Sequence, residues 1–93
     1  MAASIVRSKN SKSFTQAEAA HIERVKSLAC GLCDAPGPSF AHHIKQGQHW
    51  TVIPLCYECH QGKDGWHGTK VLWRIYRKDE LDVLADTIQR LAA

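Results

Sequence analysis

The chain has 93 residues, 44% of them hydrophobic and 23% charged, with a formal net charge of +3 and four cysteines. One domain of this size buries a small share of its surface, so a metal or disulfide staple is expected. No run of about eighteen apolar residues occurs, and the opening MAASIVRSKNSKSFTQAEAA lacks the apolar stretch of a secretory signal, which excludes a membrane span and leads to a cytoplasmic expectation with reduced thiols.

Taken along the chain, residues 1–13 read as a flexible, mildly basic tail, and residues 14–93 as a single zinc-bearing domain. Thr15-Gln-Ala-Glu18 has capping-box spacing and opens a helix to about Leu28, with Ala19, Ile22, Val25 and Leu28 or Ala29 as its apolar stripe. Cys30-Gly-Leu-Cys33 is a tight turn, and DAPGPS (34–39) is a loop by its Pro and Gly content. FAHHI (40–44) and HWTVIPLC (49–56) are rich in aromatic and β-branched residues, which predicts two strands of a hairpin joined by KQGQ. From Cys59 onward a short helix is expected, interrupted by the glycines of QGKDGWHG. TKVLWRIY (69–76) suits helix or strand. Asp79 can cap a last helix whose apolar face is Leu81, Leu84, Ile88 and Leu91.

Charge is uneven. Residues 1–78 carry eleven Lys/Arg against five Asp/Glu, whereas residues 79–93 set Arg90 against Asp79, Glu80, Asp82 and Asp86. A basic body with an acidic end is compatible with nucleic-acid binding, and equally with an ordinary solvated surface.

The cysteines form two Cys-x-x-Cys pairs, Cys30/Cys33 and Cys56/Cys59. Cys56-Tyr-Glu-Cys59-His60 also fits the attachment pattern of c-type haem. Haem would leave Cys30 and Cys33 without a role, and Met1 is the only methionine available as an axial ligand. Zinc uses all four thiols at once. A closed four-cysteine site has no open coordination position, so this zinc is structural. Its binding contributes roughly 10–16 kcal/mol that is also folding free energy. A knuckle, a hairpin and a helix begun by the second pair make a treble clef, so the fold class read here is α+β: a zinc-stapled treble clef with flanking helices.

Zinc leaves all six histidines unused. A lone histidine is more often a surface or satisfied core residue than a ligand. The zinc site, however, draws together the hairpin arm bearing His42 and His43 and the helix start bearing His60. On a strand, adjacent side chains point to opposite faces unless a bulge or the strand end intervenes. Imidazoles around an open metal, with one more as a base, suit phosphodiester hydrolysis.

The stretch AHHIKQGQHWTVIPLCYECH resembles the HNH, or ββα-metal, nuclease motif on a zinc-bearing treble clef. CGLCDAPGPSFAHHIKQGQHWTVIPLCYECHQG…GWHG and the later LDVLADTI are similar in order and spacing to the phage Ref-like, RecA-dependent nucleases; the likeness spans about residues 20–92. The resemblance implies a metal-dependent DNA endonuclease acting with RecA filaments on single-stranded DNA in recombination. It implies His42 as first metal ligand, His43 as general base, His60 as the helix ligand and His67 as the last, around a divalent cation, Mg2+ or Mn2+. QGKDGW is longer than one helical turn, which separates His67 from His60. The HNH pattern places an Asn about five residues before the second cysteine pair, where this chain has Thr51; the hydroxyl of Thr51, or His49, would have to orient the base. The alternative function is a non-catalytic zinc module binding nucleic acid or protein.

Other residues divide between roles. Trp50, Trp66 and Trp73 suit the core, with Trp66 the best placed to stack on a base. Lys45, Lys63, Lys70, Arg74, Arg77 and Lys78 suit phosphate contacts or a solvated face. His21 reads as structural, and His49 as a surface residue or a partner of the histidine cluster.

Overall fold

The computed structural model describes the backbone of residues 5–7 and 13–93 and the side chains from Phe14 onward. It is an α+β structure with the order β1 (Ile5–Arg7), β2 (Ser13–Thr15), α1 (Gln16–Lys26), β3 (Phe40–His43), β4 (Val52–Leu55), α2 (Tyr57–His60), α3 (Val71–Tyr76) and α4 (Glu80–Ala92). β1 pairs with β2, and β3 with β4, in two antiparallel pairs.

The first strand pair corrects the reading of residues 1–13 as a tail. Ile5-Val6 and Phe14-Thr15 are β-branched or aromatic, and such residues favour a pleated surface; Ile5 lies opposite Thr15 and Val6 opposite Phe14. The rest of that segment, residues 1–4 and 8–12, lies outside the described residues. Helix α1 starts where its capping box requires. The Thr15 hydroxyl accepts from Glu18 N at 3.1 Å, and Thr15 N donates to the Glu18 carboxylate at 2.7 Å. Val25 is its buried residue, with Ala19 and Ile22 half-buried beside it.

The hairpin forms in the expected place with shorter strands: Phe40 faces Leu55 and His43 faces Val52. All four residues of β4 are buried, because α1 and α4 both pack on that strand. Pro54 is tolerated there because only β3 lies beside it in the sheet. Its carbonyl accepts from Gly31 N at 2.7 Å, which ties the first knuckle to the strand. Cys30, Leu32, Ile53, Leu55, Cys59, Trp73 and Val83 form the core, and the Trp73 indole N–H donates to Cys59 O at 3.0 Å.

Helix α2 begins at Tyr57, two residues before the expected start, so Cys59 and His60 both lie on its buried side. The stretch that suited helix or strand is helical over Val71–Tyr76.

Helix α4 corrects the predicted apolar face. It is capped as read, with Asp79 and Asp82 exchanging side-chain-to-backbone bonds of 2.9 Å. It buries Val83 and Thr87, leaves Leu84 and Leu91 half-buried, and exposes Leu81 and Ile88. Two local facts set this rotation. Gly31 lacks a side chain where Val83 arrives: a Cβ there would meet Val83 Cγ1 at 2.5 Å. The buried Thr87 hydroxyl is satisfied by Val83 O at 2.7 Å, so a polar residue can occupy the packed face. Among the described residues no helix is long and apolar enough to cross a membrane.

Candidate functional site

Two donor clusters meet at α2. The first joins Cys30 and Cys33, from the turn after α1, with Cys56 and Cys59, from the β4–α2 junction. Their sulfurs lie within 4.8 Å of one another. Cys33 and Cys56 Sγ are 3.7 Å apart, too far for a disulfide. Tetrahedral zinc with Zn–S bonds near 2.3 Å sets sulfurs about 3.8 Å apart, so the cluster has the dimensions of a metal site. Its electrostatics agree. Burial raises the Cys30 thiol, but backbone N–H groups of Cys33, Cys56 and Leu32 outweigh it and bring the thiol down to about 7. Cys59 is pushed far up by burial and then by the charge of Cys30. Packed thiols resist becoming thiolates together unless a cation sits between them. Four thiolates are a soft donor set, so these cysteines could hold a metal ion such as zinc.

The second cluster joins His42 of β3, His60 of α2 and His67 of the following loop, with ligand nitrogens within 4.8 Å. Ring centroids are 5.0 Å apart for His42 and His60, 4.8 Å for His60 and His67, and 5.2 Å for His42 and His67. The long QGKDGW segment does not keep His67 away, because the loop folds back on the helix. Trp66 N donates to Cys59 O and His67 N donates to His60 O, each at 2.9 Å. Gly65 makes this possible: a Cβ there would lie 2.5 Å from Glu58 O.

His60 Nδ1 is buried with no hydrogen-bond partner among the described residues. A buried polar atom without a partner is costly, and a metal ion is one remedy. Burial, and then the neighbouring His42 and His67, hold His60 down at about 4, so its ring is neutral near pH 7, the form that binds metals. His42 is buried and contacts Glu80 across the fold, Nε2 to Oε2 at 2.6 Å. A carboxylate only accepts, so Nε2 carries the proton and Nδ1 is the lone-pair donor. Sequence reasoning missed Glu80, which had been read only as part of an acidic helix start. A carboxylate at the first position of a capped helix was the available signal, and nothing in the sequence pointed it at His42.

His43 does not join these three rings. The alternation of β3 turns it to the other face, where its Nε2 lies 3.2 Å from His49 Nδ1. The ring that reaches His43 is thus His49, while the Thr51 hydroxyl donates to Gln48 O at 3.3 Å. His21 is structural: its Nε2 meets Trp50 O at 3.1 Å, and the two rings pack with centroids 4.8 Å apart and planes tilted by 42°. Of the tryptophans, Trp73 is core, Trp66 packs against the core and Trp50 is exposed. No family model, curated protein or solved structure matches this chain.

Proposed function

We propose that the chain is a metal-dependent DNA endonuclease of HNH type, built on a zinc-stapled treble clef with a ββα-metal core. The observation that carries the reading is the convergence of His42, His60 and His67 on one point, with His60 Nδ1 buried and without a hydrogen-bond partner among the described residues. His42, His60 and His67 would hold a divalent ion, which would neutralise charge on a phosphate and on its leaving oxygen. Three imidazole donors favour a transition ion such as Mn2+ over Mg2+. Glu80 fixes the tautomer and orientation of His42. The resemblance assigns His43 as the base that would take the proton of the attacking water, and His49 lies against its ring. The Cys30/Cys33/Cys56/Cys59 zinc holds α2 against the hairpin and so keeps His60 facing His42.

The resemblance to Ref-like nucleases extends the proposal to RecA filaments as the targeting partner. Plasmid nicking with Mg2+ or Mn2+, with and without RecA and a targeting oligonucleotide, tests both parts. Cleavage that needs the second metal supports the enzyme, and dependence on RecA supports the partner. The rival reading, a non-catalytic zinc module, draws on Thr51 at the Asn position and on His43 lying against His49. It predicts one tightly held zinc per chain, no second site removable by mild chelation, and no nicking under any condition.

A further inference from the structure

We propose that a cationic groove along α3 seats the phosphodiester backbone of DNA and delivers it to the His42/His60/His67 cluster. The proposal deepens the nuclease reading and rests on it for what happens at the end of the groove. The groove is an open surface depression of about 420 Å³ whose lining includes Trp66, Lys70, Trp73, Arg74, Arg77 and Lys78. Lys70 flanks the start of α3, Arg74 lies on it and Arg77 flanks its end, and all three line the groove. All four cations are exposed, and Trp73 forms the buried floor. Asp79 and Asp82 close the end next to Lys78, where their carboxylates already accept the cap bonds of α4. The lining sets four cations against two carboxylates, so its net charge is positive, matching a polyanion.

The backbone supplies a second, independent argument. Lys70, at the start of α3, has φ 64°, and Arg77, at its end, has φ 55°. Both are left-handed positions, which favour glycine or asparagine and disfavour side chains with a long stem. Both turning points of this short helix therefore carry a cation at a backbone position better suited to glycine. Stability alone would not select that pair, whereas a ligand bearing spaced negative charges would. The groove also has a direction. Lys70 Nζ sits 4.9 Å from the Trp66 ring centre, and the Trp66 ring is 6.1 Å from that of His42. A strand passing over Lys70 thus reaches the histidines by way of Trp66.

The experiment uses the full, zinc-loaded chain without added Mg2+ or Mn2+, so that binding is read apart from cleavage. Fluorescence anisotropy follows a labelled oligodeoxynucleotide, single-stranded in one arm and duplex in the other, across a salt series. The parent is expected to bind at least one form. Lys70→Gly and Arg77→Gly should each weaken binding several-fold and lower the salt slope by about 1. Both variants should melt at or above the parent temperature, since glycine relieves the left-handed backbone. Lys26→Gln, on α1, should bind like the parent. The proposal is overturned if the parent binds neither form at low salt, or if the glycine variants bind like the parent. It also fails if their stability falls together with affinity, or if polyglutamate displaces DNA as effectively as DNA itself, which would make the groove a dock for acidic protein. A parent that binds through these residues but never cuts sinks the nuclease reading and leaves the groove standing.

Discussion

The cysteine and histidine clusters share helix α2, on which Cys59 and His60 are consecutive, yet their donor sets differ in kind. The cysteine cluster has four soft donors from two tight turns, enough to close a tetrahedron. The histidine cluster has three imidazole donors from a strand, a helix and a loop, and so would leave an ion with positions to spare. The first draws its ligands from segments that must meet for the core to exist: Cys30 and Cys59 are themselves core residues. The second depends on the first for its assembly and on a distant side chain, Glu80, for its alignment. The difference teaches that one ion would hold the fold while the other would work within it, so damage to the two should be separable in one direction only.

The largest break comes from the cysteine side. Cys59→Ser removes a buried ligand and should forfeit most of a metal contribution of roughly 10–16 kcal/mol, which exceeds the stability of most small domains. The expected product is insoluble or lacks a cooperative thermal transition, and it loses the histidine site as well. A zinc-free Cys59→Ser protein that melts cooperatively would overturn the structural role.

Next in size are the paired histidines. His43→Ala should retain both metal sites and the parent melting temperature while losing roughly 10²–10⁴ in nicking rate, the usual range for a general base. His42→Ala should instead weaken the second metal and leave the cysteine site intact. Metal titration and nicking on both variants read the difference. If His43→Ala is the variant that sheds metal, the two roles are exchanged; if both cut like the parent, the nuclease site is not here.

Acid should also separate the clusters in protein lacking the second ion. His60 titrates at about 4 in the fold, below the usual 6.5, because burial and then His42 and His67 disfavour its charged form. The unfolded chain therefore binds the extra proton first. The associated stability is fully present above pH 6.5 and is lost as pH falls toward 4, by about 3 kcal/mol in all. Denaturant melts of the parent and His60→Asn over that window should show a steeper loss in the parent. Parallel curves would mean that the ring is not held neutral.

Much of this was legible in the sequence because it is local. The Cys-x-x-Cys spacing, the capping box at Thr15, the cap at Asp79 and the β-branched hairpin are all encoded within a few residues, and each forms. The His42/His60 meeting was legible because the cysteine pairs force strand and helix together. The approach of His67 was implied only by the resemblance, since it depends on loop backbone bonds to Cys59 and His60 that no spacing announces. The rotation of α4 was hidden for a similar reason. Leu81, Leu84, Ile88 and Leu91 satisfy helical periodicity as well as the true face does. The choice was made by the space over Gly31 and the internal bond of Thr87, both visible only after packing.

That rotation brings Glu80 to His42, and it supports the smallest and most selective prediction. Glu80 is 17% exposed at its side chain and 2.6 Å from Nε2. A carboxylate behind a ligating imidazole fixes its tautomer and raises its basicity, and its loss typically costs 10–100-fold in metal affinity. Glu80→Gln keeps the volume and one hydrogen bond but removes the charge, so helix α4 should stay docked and the melting temperature should change little. Competition titrations should show the second site weakened within that range while the cysteine site holds zinc as before. Glu80→Asp keeps the charge on a shorter arm and should fall between parent and Gln. A merely structural Glu80 gives the opposite pattern: reduced melting temperature in both variants, with second-site affinity unchanged at temperatures where the chain is folded. Equal affinity in parent and Gln would show that His42 needs no carboxylate behind it, and the histidine cluster would then be as self-sufficient as the cysteine one.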